Sequence, residues 1–235
     1  MRTSAVLAPL VAGPDGPLPA LLLPMTFVTG LVDAFSYLLL SHVFVANMTG
    51  NVVFLAFSFG GAQGFIWWAS LLAIGAFGLG AFGGGHFARR YDAHRGDLLA
   101  LAAAVQTVFL ASSWVLALLL ERPYESGALA LLVCLLGVAM GMQNAAARAL
   151  AVPDLTTTVL TLTVTGIFAD RLGVRRIPRR LLSLTSMFLG AMVDALLVLA
   201  EVGEVALLLA ALILAAVGIG ALRTHKSVAA WTSEP

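Results

Sequence analysis

Two carboxylates lie inside stretches of sequence that carry no other charge. Asp33 lies in the stretch 20–40, and Asp194 lies in the stretch 181–200. If such stretches cross a membrane, an ionised carboxylate near the centre costs roughly 2.5 to 3.5 kcal/mol on insertion scales, and such residues usually have a function. The function predicted for Asp33 is a proton or cation site beside a polar cavity; the alternative is a carboxylic acid that hydrogen-bonds a neighbouring helix. Asp194 lies nearer the end of its stretch and is a secondary candidate.

Polar strings begin two shorter uncharged stretches, 43–60 and 155–169. A helix that starts with such a string presents free N–H groups and the positive end of its dipole, which suit an anionic or strongly dipolar group. The alternative is that the polar residues only cap helices whose tips are packed shut. Two adjacent amide residues, Gln143 and Asn144, lie in a span that otherwise lacks strong polarity and are added to the candidates. The candidate residues for solute binding or coupling are Asp33, Asn47, Thr49, Gly50, Asn51, Gln143, Asn144, Asp154, Thr156, Thr157 and Thr158.

The composition is that of a polytopic membrane protein. Of the 235 residues, 60% are hydrophobic and 11% are charged, which is far from the composition of a soluble domain. The balanced charge argues against nucleic-acid binding, and the lone Cys134 excludes a disulfide framework. The four histidines are scattered, so we expect no metal and no cofactor. Six stretches have the length and apolarity of transmembrane helices: 20–40, 65–88, 98–120, 127–147, 181–200 and 205–222.

The basic residues predict which loops face the cytoplasm. If all eight apolar stretches crossed the membrane, the three arginines within 89–95 would lie outside. If 43–60 and 155–169 instead return to the face from which they enter, Arg122 is the one basic residue outside, as the positive-inside rule favours. We therefore expect six crossings, with 43–60 entering from outside and 155–169 entering from the cytoplasm.

The two halves of the sequence resemble each other. Three strings align in the same order, at offsets of 111, 107 and 110 residues: TGLVDA with MGMQNA, NMTGNV with DLTTTV, and LLAIGAFGLGA with LLSLTSMFLGA. Each half then contains three crossings, and because three is odd the halves have opposite orientations. The predicted fold is all-α, with six transmembrane helices and two re-entrant half-helices as a 3+3 inverted-topology repeat. Its predicted parts are a cytoplasmic segment 1–17, repeats 18–122 and 123–222, and a cytoplasmic tail 223–235.

Two longer strings carry a family resemblance. TGLVDAFSYLLLSHVFVANMTGNVVFLAF and GMQNAAARALAVPDLTTTVLTLT resemble the YoaK family of bacterial membrane proteins of unknown function. The resemblance runs from about residue 18 to residue 222, and VFVANMTGN is its most specific part. It implies a bacterial inner-membrane protein of about six spans, which the charges orient with both termini in the cytoplasm. It implies no established activity and no site residues.

The leading functional hypothesis is a transporter or channel-like carrier of a small polar or anionic solute, with proton coupling as an option. A non-catalytic membrane scaffold or assembly protein is the alternative. An intramembrane enzyme is disfavoured, because the spans contain serines but His42 and His86 lie at span ends rather than at their centres. The expected partners are the lipid bilayer and a small-molecule solute, without nucleic acid; a homodimer stays open.

One glycine string matches a dinucleotide-binding pattern. The residues Gly78-Leu-Gly-Ala-Phe-Gly83 fit G-x-G-x-x-G but lie inside an uncharged span with no preceding strand. Such glycines are more typical of closely packed membrane helices.

Overall fold

Seven α-helices are fully described in the computed structural model, which covers residues 15–90, 94–153, 164–165, 177–223 and 230–232. We number them α1 (Leu18–Leu39), α2 (Met48–Phe59), α3 (Trp67–Arg90), α4 (Arg95–Leu119), α5 (Ser126–Leu150), α6 (Ile177–Leu199) and α7 (Val205–Leu222), with a 3₁₀ turn at Ala230–Thr232. Within this part of the chain there is no β-strand. The predicted fold class, an all-α polytopic membrane protein, is confirmed.

Six of the seven helices are long and apolar enough to cross a membrane, with mean hydropathies between 1.4 and 2.8 in their most apolar windows. Helix α2 has only 12 residues and is about 18 Å long, well short of a core about 30 Å thick. The outer faces of the long helices expose large apolar side chains such as Phe82 and Leu199, at 73% and 81%. Such faces are suited to lipid and not to water.

One end of the bundle holds a polar network that joins distant parts of the chain. Asp15 pairs with Arg95 at 3.8 Å and with Arg179 at 3.2 Å. The Arg95 guanidinium also donates to the carbonyl oxygens of Leu150 and Trp231. The starts of α1, α4 and α6 and the end of α5 therefore lie at the same end, which we call the basic end.

The opposite end is joined by contacts among the other loops. Arg122 pairs with Glu204 at 3.1 Å and donates to the carbonyl oxygen of Glu201 at 2.6 Å. The His42 ring contacts the carbonyl oxygen of Gly64 at 3.2 Å. The end of α1 and the start of α3 therefore lie at this end, so α2 lies within a segment that leaves it and returns to it.

The long helices pack in pairs: α1 with α6, α3 with α5, and α4 with α7. In the first pair, a Cβ added to Gly30 would collide with the carbonyl oxygen of Met187, and a Cβ added to Gly190 with that of Phe27. Only glycine permits backbones to approach this closely.

The pair α3 and α5 makes the same contacts at equivalent positions. A Cβ on Gly141 would collide with the carbonyl oxygen of Phe77, and one on Gly80 with that of Val138. The 111-residue offset that aligns Gly30 with Gly141 also aligns Phe27 with Val138, and the 110-residue offset aligns Phe77 with Met187. The two helix pairs thus make close contacts at positions that the alignment of the two halves relates.

Candidate functional site

The chain reverses direction directly after α1. Ser41 and His42 both adopt left-handed backbone conformations, with φ of 60° and 59°, which residues other than glycine seldom adopt. The reversal sends Val45 and Ala46 back beside α1, where both are buried. Their N–H groups donate to Asp33 Oδ1, at 3.0 Å and 2.7 Å. One oxygen of the buried carboxylate thus fixes the returning chain.

The same segment is fixed a second time from α2. The Asn51 side chain, fully buried, accepts from the Phe44 N–H at 2.9 Å and donates to the Phe44 carbonyl at 2.6 Å. A Cβ on Gly50 would lie 2.6 Å from the Phe44 ring. Asn51 and Gly50 therefore hold Phe44 in position, while Thr49 lies on the exposed side of α2.

Asp33 Oδ2 is buried and has no hydrogen-bond partner among the described residues. Asp33 is one of the residues that line a cleft of about 260 Å³ between α1, α6 and the returning segment. The cleft walls are Gly30, Asp33, Ala34, Tyr37, Leu38, Phe44, Asn47, Met187 and Ala191. Asn47 precedes α2 without forming a side-chain cap. Two candidate residues from different apolar stretches, Asp33 and Asn47, therefore line one cleft.

Aromatic rings form the part of the cleft wall nearest the end of α1. Tyr37 and Phe44 stack with centroids 5.0 Å apart, and both line the cleft. Phe54 stacks on Phe44 at 5.6 Å and on Phe65 at 5.2 Å, and its ring centroid is also 5.9 Å from that of Tyr37. Leu38, at the edge of the cleft, is 47% exposed on the outer surface of a span. The cleft thus combines a buried carboxylate oxygen, an aromatic wall and an apolar edge.

The position of α2 relative to Asp33 gives its depth in the bundle. Asp33 lies six residues before Leu39, the last residue of α1, which corresponds to about 9 Å along the helix axis. Because Ala46 contacts Asp33, α2 starts at about that distance from the end of α1, measured along the helix axis. Ser58, near the end of α2, donates to the carbonyl oxygen of Phe65, just before α3 begins. Helix α2 therefore runs, on the outside of the bundle, from about the level of Asp33 back to the end opposite the basic end.

The neighbouring amides of α5 have different contacts. Gln143 is fully buried and donates to Thr29 Oγ1 at 2.8 Å and to the Met25 carbonyl at 3.2 Å, so it joins α5 to α1. Asn144, the residue aligned with Asp33, donates to the Met140 carbonyl of its own helix at 2.9 Å. Gln143 therefore connects the two halves, whereas neither amide lines the cleft beside Asp33.

The remaining candidates lie elsewhere. Asp194 is fully buried on α6, and neither of its carboxylate oxygens has a hydrogen-bond partner within the described ranges. It does not line the cleft. Asp154, Thr156, Thr157 and Thr158 lie outside the described residues, as does most of the predicted half-span 155–169.

Several site residues were not predicted from the sequence. Tyr37 and Phe44 flank the polar strings, and their place in one aromatic wall depends on the reversal at Ser41. Met187 and Ala191 come from the other half of the chain. The alignment of Gly30 with Gly141 and of Gly80 with Gly190 was the one signal that related these distant segments.

Comparisons with known proteins agree with a membrane protein. Residues 21–220 match the family described as Protein of unknown function (DUF1275). A similar relative is the UPF0700 transmembrane protein YoaK of Bacillus subtilis (strain 168), which is 30% identical over 154 residues. That alignment covers 63% of this chain and 65% of the relative, slightly less than two thirds of its length. No solved structure matches the chain significantly.

Proposed function

The chain belongs to the DUF1275 family of proteins of unknown function, and we propose that this integral membrane protein is a carrier of a small polar solute that binds beside Asp33. The observation that carries the proposal is the Asp33 carboxylate. One oxygen is used by the fold, in contacts with Val45 and Ala46; the other is buried without a partner among the described residues, in a residue that lines the cleft. Most buried side-chain oxygens have a hydrogen-bond partner, so an unpaired one in a residue that lines a cleft needs an explanation, and a bound solute supplies one.

The sequence allowed the predicted solute to be anionic, because the start of a half-helix has free N–H groups that attract negative charge. Two of the N–H groups just before α2 already donate to Asp33. An anion would have to compete with a carboxylate that is part of the chain. The geometry at this tip therefore favours a neutral or cationic solute over an anionic one.

The proposal includes a re-entrant α2 and an inverted repeat. Helix α2 starts beside Asp33 and returns to the end from which the segment left, as a half-span does. The glycine contacts of α1 with α6 recur between α3 and α5 at aligned positions. Both features support a binding site at the junction of two oppositely oriented halves, the plan of many transporters. The second half-span predicted from the sequence, 155–169, lies outside the described residues except at 164–165, and it stays a prediction.

We propose that the basic end is cytoplasmic and that the membrane is a bacterial inner membrane. Among the described arginines, Arg122 lies at the opposite end, and the others lie at the starts or ends of helices at the basic end. The positive-inside rule favours that orientation. Asp15 and Trp231, near the two ends of the chain, also contact Arg95 there, so both termini would be cytoplasmic.

The hydroxyl contacts support a protein without intramembrane serine chemistry. Ser36 and Ser113 are buried in their spans, and each donates to a backbone carbonyl of its own helix. A nucleophilic serine would instead donate to a base. A membrane scaffold is the remaining alternative.

Uptake into proteoliposomes tests the proposal. A panel of radiolabelled small solutes, cationic, neutral and anionic, would be measured with the wild type, Asp33→Asn and Asp194→Asn, at equal pH and with an imposed pH gradient. We expect saturable uptake of at least one solute by the wild type and the Asp194 variant. We expect Asp33→Asn to take up less solute than the wild type, and we expect this remaining uptake not to change with pH. The reason is that an amide keeps the shape of the carboxyl group but cannot take up a proton.

Absence of uptake above protein-free liposomes across the whole panel would contradict the carrier and favour the scaffold. Proton coupling at Asp33 would be wrong if the variant kept the wild-type pH profile. The other titratable side chains near the cleft on α1 and its following turn are Tyr37 and His42, and α6 contributes Asp194; a retained profile would point to one of them.

A further inference from the structure

The cleft beside Asp33 contains one carboxyl group and no basic side chain among the residues that line it. Its walls contain one carboxylate, one amide and otherwise apolar or aromatic side chains. The Asp33 side chain is only 3% exposed, and its Oδ2 has no hydrogen-bond partner in the described part of the chain. An ionised oxygen in so apolar a site requires a donor or a cation.

The aromatic wall supplies the second feature of a cation site. The Tyr37 and Phe44 rings stack 5.0 Å apart and line the same cleft as Asp33. Aromatic faces attract cations within about 6 Å of the ring centroid, and quaternary ammonium groups are bound in this way. A metal ion would need several oxygen ligands, whereas the cleft offers the oxygens of Asp33 and Asn47 and the hydroxyl of Tyr37 beside a largely apolar lining.

The size and the opening of the cleft indicate an amphipathic ligand. At about 260 Å³ the cleft is slightly smaller than the pockets that hold drug-sized ligands. Its rim includes Leu38, which is half exposed on the outer surface of α1. A ligand with an apolar body could therefore enter from the side of the bundle, with its polar group towards Asp33.

We propose that the cleft binds a small organic cation, an ammonium group on an apolar body, with the ammonium group at Asp33 Oδ2 and the body against Tyr37 and Phe44. The inference rests on the proposed function in one respect, since this cation would be the solute that the carrier moves. Asp33 then has two roles: Oδ1 holds the returning segment, and Oδ2 binds the ligand.

Three probes of similar size and different charge test the site: 2-phenylethylamine, 2-phenylethanol and phenylacetate. Their binding would be measured by equilibrium dialysis with full-length protein in phosphatidylcholine nanodiscs, with empty nanodiscs as the background. We expect saturable binding of the amine, with the alcohol and the carboxylate at least about tenfold weaker, which corresponds to the loss of a single charge-assisted contact. Equal affinity for the three probes would overturn the proposal.

Variants locate the binding. Asp33→Asn keeps an oxygen for the Val45 and Ala46 N–H groups but removes the charge, so amine affinity should fall at least about tenfold with helical content unchanged. Asp194→Asn is the matched control, because it removes the other buried carboxylate of the spans and should leave affinity unchanged. Wild-type affinity in Asp33→Asn would overturn the proposal.

A second variant pair keeps the test decisive if Asp33→Asn does not fold. Tyr37→Leu removes one cleft ring and should weaken amine binding several-fold, whereas Phe57→Leu changes a ring of the same aromatic cluster that does not line the cleft. Equal affinities in the two variants would contradict the aromatic contact and overturn the proposed binding mode.

The two experiments distinguish a failure of the proposed cation site from a failure of the proposed carrier function. If the amine binds with the expected charge preference but proteoliposomes do not accumulate it, the carrier is wrong and the cation site stands. If proteoliposomes accumulate another solute and the amine does not bind, the cation site is wrong and the carrier stands.

Discussion

Replacing Gly80 by alanine should weaken the packing of α3 on α5. Gly80 faces α5, and an added Cβ would collide with the carbonyl oxygen of Val138. Gly78 lies two residues earlier in the same helix, and a Cβ there meets nothing within 4 Å. The variant Gly78→Ala is therefore the matched control, with the same chemical change in the same helix at an open position.

The magnitude follows from two opposing terms. Alanine favours the helix by about 1 kcal/mol relative to glycine, and that gain applies at both positions. At Gly80 the collision is with backbone, which cannot rotate away as a side chain can, so a cost at or above the usual 1 to 3 kcal/mol of overpacking is expected. The difference between the two variants isolates this steric cost, because the helix term cancels. We expect Gly80→Ala to be the less stable of the two by about 2 to 3 kcal/mol.

Thermal or denaturant unfolding in detergent, followed by tryptophan fluorescence, measures this difference. Gly190→Ala on α6 is the aligned position in the other half, where the Cβ would meet the Phe27 carbonyl, and it should be destabilised by a similar amount. Equal stability of Gly80→Ala and Gly78→Ala would refute the close α3–α5 contact. A large effect at Gly80 with none at Gly190 would contradict the equivalence of the two helix pairs.

Two further comparisons concern polar groups, and each is measured by the same unfolding assay. Asn51→Ala should lower the free energy of unfolding by about 2 to 4 kcal/mol, since it leaves the N–H and carbonyl of Phe44 unpaired. Tyr124→Phe should change it by less than about 0.5 kcal/mol, because the buried Tyr124 hydroxyl has no partner in the described segments. Equal effects of the two variants would contradict the role of Asn51 in holding Phe44. Asp15→Asn should lower the free energy of unfolding by about 2 to 4 kcal/mol, because it leaves buried arginine charge at the basic end uncompensated. Glu204→Gln should lower it by less than about 1 kcal/mol, because the ion pair at the other end is more exposed. A larger effect of Glu204→Gln would show that the basic-end network does not hold the helix ends together.

Apolar stretches and their charges predicted the spans because both properties follow directly from residue type. The number of crossings, the short α2 and the position of Asp33 in α1 all come from such local signals. The aligned strings also contain Gly30 and Gly141, and small residues in a span favour close helix approach; these approaches join helices of one half to helices of the other. Which glycine of the G-x-G-x-x-G string faces a neighbour could not be predicted, because the pattern does not say how the helix is rotated; of its glycines, Gly80 makes the contact, and Gly78 and Gly83 face open space.

The partners of Asp33 could not be predicted for a related reason. They depend on two consecutive left-handed residues, Ser41 and His42, that no turn signal in the sequence marks. Without that reversal, the N–H groups of Val45 and Ala46 would not lie beside α1, and no carboxylate would be fixed next to the start of α2, where the sequence predicted an anionic or dipolar ligand. With it, they contact the Asp33 carboxylate. The cleft also needs Met187 from α6, and no local pattern places a residue so distant in sequence beside Asp33.

The distance between the two predicted half-helix tips tests the central claim, a single site at the junction of two inverted halves. Cysteines at Asn47 and Thr156, in a Cys134→Ala background with a protease site introduced in the loop between α4 and α5, would be treated with bifunctional thiol reagents of graded length. The account predicts that reagents spanning less than about 15 Å, half the thickness of the membrane core, join the two fragments. Cross-linking only by longer reagents, or labelling of both cysteines from the same face of the membrane, would contradict it.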